Sequence, residues 1–105
     1  MSSERVYRVT ARGCFKDLSE QARSYLLKAQ PEHDIFLSAF TTEGTFTYDQ
    51  KIQFFNLRYE VRTSEGSEAA GTIAQKEAEL FLKTLGYLSK PLKILVTDAS
   101  AMWGD

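Results

Sequence analysis

The chain lacks the cysteines and histidines that disulfide-bonded and metal-binding proteins need. Cys14 is its only cysteine, so no disulfide can form within the chain and nothing points to an oxidising compartment. His33 is its only histidine, and no second histidine or cysteine cluster is available to complete a metal shell. We therefore expect neither a metal nor another cofactor.

An excess of charge and a long apolar run are also missing. The net charge is -1 and the isoelectric point is about 5.8, so binding to nucleic acid or to an anionic membrane would need a local basic patch. No segment approaches the ~20 apolar residues of a membrane span, and charges interrupt the amino terminus where a secretion signal needs an apolar run. These absences predict a cytoplasmic protein with no membrane partner.

The residues that are present have the balance of a globular protein. Apolar residues make up 43% of the 105 positions and charged residues 26%. A chain of this length hides enough surface for one core and has no room for a second. We expect a single domain over residues 1–105, without internal repeats or linkers.

Two segments have the periodicity of amphipathic helices. Asp17 and Glu20 have the spacing of a capping box at the start of the first helix, which ends just before Pro31. Ser67 is placed to cap the second helix, and Gly86 is placed to end it. Strands are predicted on either side, at residues 6–15, where apolar and polar positions alternate, and at residues 92–97.

The stretch FTTEGTFTY, residues 40–48, allows two interpretations. Glu43 and Gly44 could form a hairpin turn, or one strand could run through the glycine. The hairpin mixes apolar and polar side chains on both faces, whereas the continuous strand keeps Phe40, Phe46 and Tyr48 on a single face. The sequence therefore favours the continuous strand.

A continuous strand moves the hairpin turn to Gln50 and Lys51. In that register Phe46 lies opposite Phe55, and Gly44 lies opposite Leu57 with Tyr59 on the diagonal. The same register places Glu43 opposite Arg58 on the other face.

The predicted order of strand, helix, strand, strand, helix, strand is that of an α+β ferredoxin-like βαββαβ sandwich. Both helices cover one face of a four-stranded antiparallel sheet, whose first and third strands lie in the middle. The other face of the sheet stays open.

Several stretches of the chain resemble a family of short bacterial proteins that is classed only as a domain of unknown function. They are RVTARGCF, EHD, AFTTEGTFTYD, FNLRYEV and a late MW pair, and together they span nearly the whole chain. The resemblance implies a free-standing domain and brings no activity with it.

Arginines dominate the predicted open face. Guanidinium groups on a rigid scaffold hold anions through several fixed donors. The predicted ligand-binding residues are Arg8, Arg12, Asn56, Arg58 and Arg62. The alternative is a solvated face, on which the arginines pair with Glu43 and Glu60. We do not expect nucleic acid as the ligand, because only Phe54 offers an aromatic platform on the central strands.

A second set of candidates lies outside that face. In the sequence His33 lies between Glu32 and Asp34. A histidine beside carboxylates can act as a general base, but the same arrangement also occurs in solvated polar loops that have no catalytic role. The set comprises His33, Asp34, Tyr48 and Asp98.

Met102 and Trp103 lie near the end of the chain, where residues ordinarily fray. A tryptophan there is buried either by the sheet edge or by a partner chain, so we predict a homodimer that uses both residues.

The sequence favours a non-catalytic binding or oligomerising module for a small anionic ligand or a protein partner. The alternative is a small enzyme of the acylphosphatase type or the ferredoxin-like monooxygenase type. RGCFKD, residues 12–17, has only one glycine and so argues against the glycine-rich phosphate loop of an acylphosphatase.

Overall fold

The computed structural model describes residues 4–33 and 39–99 of the chain. Its elements are β1 (Arg5–Lys16), α1 (Glu20–Lys28), a 3-10 helix (Gln30–His33), β2 (Thr45–Tyr48), β3 (Phe54–Thr63), α2 (Ser67–Leu85), β4 (Leu88–Ser89) and β5 (Lys93–Asp98). The described residues thus form an α+β structure with two α-helices and a five-stranded antiparallel sheet. Within the described ranges, neither helix is long and apolar enough to cross a membrane.

The sheet has one strand more than the four predicted. β2 pairs with β3 and β3 pairs with β1, whose other edge is shared by β5 and the short β4. β4 places Ser89 opposite Phe15 and Leu88 opposite Lys16, and the Lys90 amide donates to the Cys14 carbonyl. β5 pairs with β1 only as far as Arg12, whereas β1 continues to Lys16. The backbone groups of Phe15 and Lys16 therefore remain for β4 to pair with.

The predicted division of β1 between two faces is confirmed. Tyr7, Val9 and Ala11 are buried beneath the helices, and the side chains between them face the other side of the sheet. Gly13 continues the packed face, where a Cβ would lie 2.8 Å from Leu92 Cδ2 and closer still to the Phe55 ring. Glycine is needed there because the ring occupies its side-chain space.

The start of the first helix differs from the prediction. Ser19 is the N-cap, and its hydroxyl accepts from the Ala22 amide at 3.1 Å. Asp17 lies two residues earlier with a φ of 53°, in the left-handed region, and so belongs to the turn that leaves β1. The helix ends at Lys28, and the chain tightens into the 3-10 helix that contains Pro31.

The second helix ends as predicted but begins differently. Gly86 adopts the left-handed conformation after Leu85, which confirms the predicted stop. Gly66, not Ser67, is the N-cap residue, and no side chain caps the helix. The buried face of this helix also differs from the apolar stripe that the sequence predicts, because Ile73 and Leu85 of that stripe are 42% and 49% exposed. Its buried members are Ala70, Gly71, Ala74, Ala78 and Leu82.

The predicted register of β2 and β3 is wrong by two residues. Phe46 lies opposite Leu57, and Tyr48 lies opposite Phe55. The connecting loop covers residues 49–53, because the Asp49 carboxylate accepts from the amides of Gln53 and Phe54 at 2.8 and 2.9 Å. A two-residue shift keeps every side chain on the same face, so the apolar pattern could not detect it.

Gly44 is neither a hairpin turn nor part of a continuous strand. β2 begins one residue later, and Gly44 has a φ of 95°. Its amide donates to the Thr41 hydroxyl at 3.0 Å, while the Thr41 carbonyl accepts from the Glu60 amide. A Cβ on Gly44 would lie 2.9 Å from Tyr59 Cζ, so the Tyr59 ring covers the glycine as the sequence suggested.

Candidate functional site

The side of the sheet away from the helices, here called the outer face, carries a grid of polar side chains. The strand registers define its rows. Within the described residues it bears six cationic side chains and one carboxylate, which are Arg8, Arg12, Lys16, Arg58, Arg62, Lys93 and Glu60. The outer face is therefore strongly basic, although the whole chain has a net charge of -1.

Every side chain in one row of this grid can donate a hydrogen bond, and none of them is an acid. Lys93 lies opposite Arg12, Arg12 opposite Asn56, and Asn56 opposite Thr47, so the row crosses β5, β1, β3 and β2. Arg12 Nε donates to Asn56 Oδ1 at 3.2 Å, which orients the guanidinium group and turns the amide nitrogen of Asn56 away from it. We call these four residues the polar row.

The polar row changes from exposed to buried along its length. Lys93 and Arg12 are exposed, whereas Asn56 is 8% exposed and Thr47 is 1% exposed. The Thr47 hydroxyl is buried and makes no hydrogen bond with any described residue. Lys93 and Arg12 form no ion pair with a described carboxylate. The row thus offers two cations that no described acid neutralises.

Two other arginines of the outer face hold an aromatic ring. The guanidinium carbons of Arg8 and Arg58 lie 5.3 and 5.6 Å from the centroid of the Phe40 ring, within range of cation-π attraction. The sequence predicted Phe40 on the packed face, and that prediction is wrong. The loop at Gly44 interrupts the strand, so the alternation of β2 does not extend back to Phe40.

The predicted cross-strand pair of Glu43 and Arg58 does not form. Thr45 lies opposite Arg58, and Glu43 lies beyond the end of β2, on the helix side. The fourth arginine, Arg62, reaches Glu60 on its own strand at 3.4 Å.

The secondary candidates lie apart from the polar row. Tyr48 is buried in the core, where its hydroxyl donates to the Leu26 carbonyl of α1. Asp98 pairs with Arg5 at 2.8 Å near the other end of β1. The backbone of His33 belongs to the 3-10 helix. The His33 side chain, Asp34, Met102 and Trp103 lie outside the part of the chain that the structure describes.

The RGCFKD segment, residues 12–17, lies almost entirely in strand β1 and does not form a phosphate loop. Residues 12–16 continue β1, with Arg12 opposite Asn56 and Lys16 opposite Leu88. Their backbone amides therefore do not curl into the nest that holds a phosphate. In residues 4–33 and 39–99, no three His, Cys, Asp or Glu side chains are grouped as metal ligands would be.

A second concave surface lies on the helix side, and the sequence did not indicate it. A cleft of about 340 Å³ lies between the second half of α2 and the β3 residue Tyr59. Burial, and secondarily the Glu77 carboxylate, raise the pKa of Tyr59 to about 12. The cleft escaped sequence reasoning because Glu43, Tyr59 and Glu77 come from three separate segments.

A family model matches residues 1–103, almost the whole chain. The chain belongs to the family of unknown function DUF6204. The predicted resemblance to a family of unknown function is thereby confirmed. No curated protein and no solved structure matched the chain. Membership in this family assigns no ligand or reaction to the chain.

Proposed function

We propose that this DUF6204 protein is a non-catalytic binding module that holds a small anionic ligand on the outer face of its sheet. The observation that carries the proposal is the polar row, in which Lys93, Arg12 and Asn56 are neighbours on three paired strands. We also propose that the fold is a ferredoxin-like sandwich in which β4 is a small addition. Strands β2, β3, β1 and β5 then form the four-stranded sheet of that fold.

The charges around the polar row favour an anion there. Arg62 already contacts Glu60, and Arg8 and Arg58 contact the Phe40 ring. Arg12 and Lys93 have no such neighbour among the described residues, so their charges face solvent. A bound phosphate or carboxylate would supply the missing charge through charge-assisted hydrogen bonds.

Binding is favoured over hydrolysis by the course of β1. An acylphosphatase-like enzyme would need a loop of free backbone amides after the first strand, but that stretch pairs with β3 and β4. The exposed Phe54 ring lies one row beyond Asn56 and offers an apolar surface beside the donors. An anion that carries a flat ring fits both features.

The test uses pyrophosphate and adenosine monophosphate as probes in a thermal-shift and amide NMR titration. We expect both anions to shift the amides of residues 10–14 and 54–58, and Arg12→Gln or Lys93→Gln to weaken binding at least ~10-fold. Lys76→Gln, on exposed α2, is the matched control and keeps full affinity. Equal binding by the wild type and the Arg12→Gln variant would refute the proposal.

A second candidate function is self-association, and the free edge of β5 favours it. No described strand pairs with that edge, and Leu95 on it is 43% exposed. Antiparallel pairing of two copies about Leu95 would place Ile94 opposite Val96 and Lys93 opposite Thr97. Apolar side chains then meet apolar ones, and no like charges face each other.

Light scattering tests this homodimer. We expect the wild type to have a molar mass of twice the 11.9 kDa of the chain. The Leu95→Lys variant should have the mass of one chain, because it would place two ammonium groups opposite each other in the dimer. Leu27→Lys changes a leucine of α1 that is 51% exposed and lies outside the sheet, so this variant should remain dimeric. A monomeric wild type would end the proposal, with the polar row unaffected.

A further inference from the structure

The cleft on the helix side differs from the outer face in both shape and charge. Its walls are the apolar side chains of Leu80, Phe81 and Leu85 on α2, and its volume of about 340 Å³ is that of a small organic molecule. Leu80 and Leu85 are 58% and 49% exposed, so their apolar surfaces are open to a ligand. An apolar molecular body fits between these walls.

Two carboxylates border the same cleft. Glu43 comes from the loop before β2, and Glu77 comes from α2. No lysine or arginine is among the described residues that line the cleft, and neither glutamate forms an ion pair with any of them. Two acids beside an apolar wall, without a cation of their own, attract a positively charged ligand.

The hydroxyl of a largely buried tyrosine completes the site. Tyr59 is only 3% exposed, yet it lines the cleft, and its hydroxyl makes no hydrogen bond with any described residue. The hydroxyl oxygen is not among the buried unpartnered polar atoms of the described residues, so it reaches the open space of the cleft, where a water or a ligand can bind it. With its pKa raised to about 12, the phenol is neutral at pH 7 and has oxygen lone pairs to offer.

We propose that this cleft binds a small organic cation, in particular a primary ammonium group carried on an apolar body. The ammonium group has three N–H donors, and the cleft supplies three acceptors on Glu43, Glu77 and Tyr59. The apolar part of the ligand covers the exposed leucines. This site lies on the opposite side of the sheet from the polar row and does not depend on it.

The test uses phenethylammonium chloride as the probe and 2-phenylethanol as its neutral analogue of nearly equal shape. Amide NMR titration of the full chain should show shifts at residues 77–85 and at Tyr59, with the alcohol at least ~10-fold weaker. Equal binding of the two compounds, or no binding of the amine, would overturn the proposal.

Substitutions of the two glutamates test whether their carboxylates bind the ammonium group. Glu77→Gln and Glu43→Gln should each weaken the amine ~3-fold to ~10-fold and leave the alcohol unchanged. Glu79→Gln makes the same change on the same helix but outside the cleft, so it should keep wild-type affinity. An amine affinity that survives the Glu43→Gln, Glu77→Gln double variant would refute the assignment. Arg12→Gln should have no effect on the amine, which separates this site from the polar row.

Discussion

The two sides of β3 show how one strand supplies two surfaces of opposite character. Asn56 and Arg58 point to the outer face, beside Arg12 and Lys93, whereas Tyr59 points to the helix side, beside two glutamates. A two-residue period is enough to separate the basic surface from the acidic one. The overall net charge of -1 therefore says little about what either side can bind.

The two surfaces also differ in how they are built. The polar row lies entirely on paired strands, so its spacing is set by backbone hydrogen bonds. The cleft depends on a loop, on α2 and on a glycine that leaves room for the Tyr59 ring. Changes at the loop should therefore damage the cleft and leave the polar row in place.

The largest expected effect comes from Gly44→Ala. The new methyl group would have to occupy a left-handed φ of 95° and displace the Tyr59 ring, so we expect a loss of ~2 to 4 kcal/mol of unfolding free energy and weaker amine binding. Urea unfolding measures the loss. Gly66→Ala is the control, since its φ is 101° but nothing lies within 4 Å. Equal losses for the two variants would show that the Tyr59 contact has no role.

A smaller effect is expected in the titration of Tyr59. Its pKa of about 12 means that folding favours the neutral phenol, so this stabilisation is complete below pH 10 and disappears as the pH rises through 12. Glu77→Gln removes one of the two causes and should lower the pKa while leaving it above 10, because burial remains. Ultraviolet absorbance of the phenolate, with Tyr59→Phe to identify the signal, measures it. An unchanged or higher pKa in Glu77→Gln would contradict the placement of Glu77 beside the hydroxyl.

The smallest expected effect belongs to the outer face. Phe40→Leu removes the ring that Arg8 and Arg58 contact and should lower the unfolding free energy by ~0.5 to 2 kcal/mol. Phe54→Leu removes a more exposed ring that makes no cation-π contact with a described residue, and it serves as the control. Thermal unfolding distinguishes the two variants. If they lose the same stability, the arginine contacts add nothing beyond the apolar area of the ring.

Much of the outer face could be predicted because it depends on alternation alone. Alternation along β1 and β3 predicts that Arg8, Arg12, Arg58 and Arg62 lie on this face, and the structure confirms this prediction. The same alternation predicts Phe40 on the packed face, and this prediction is wrong because the strand is interrupted at Gly44. Alternation does not reveal the error in the register of β2 and β3, because a shift of two residues returns every side chain to its original face.

The sequence by itself determined the two helices, the long strands, the end of α2 at Gly86 and the side of the sheet that carries the arginines. Each of these follows from a local period or a local backbone preference, which a chain expresses wherever it folds. Only the tertiary structure decided the neighbours of Arg12 and the meeting of Glu43, Tyr59 and Glu77. The neighbours of Arg12 come from pairing between strands that are distant in the chain. The meeting of Glu43 with Tyr59 depends on the loop at Gly44, whose left-handed backbone and hydrogen bond to Thr41 bring the glycine against the Tyr59 ring.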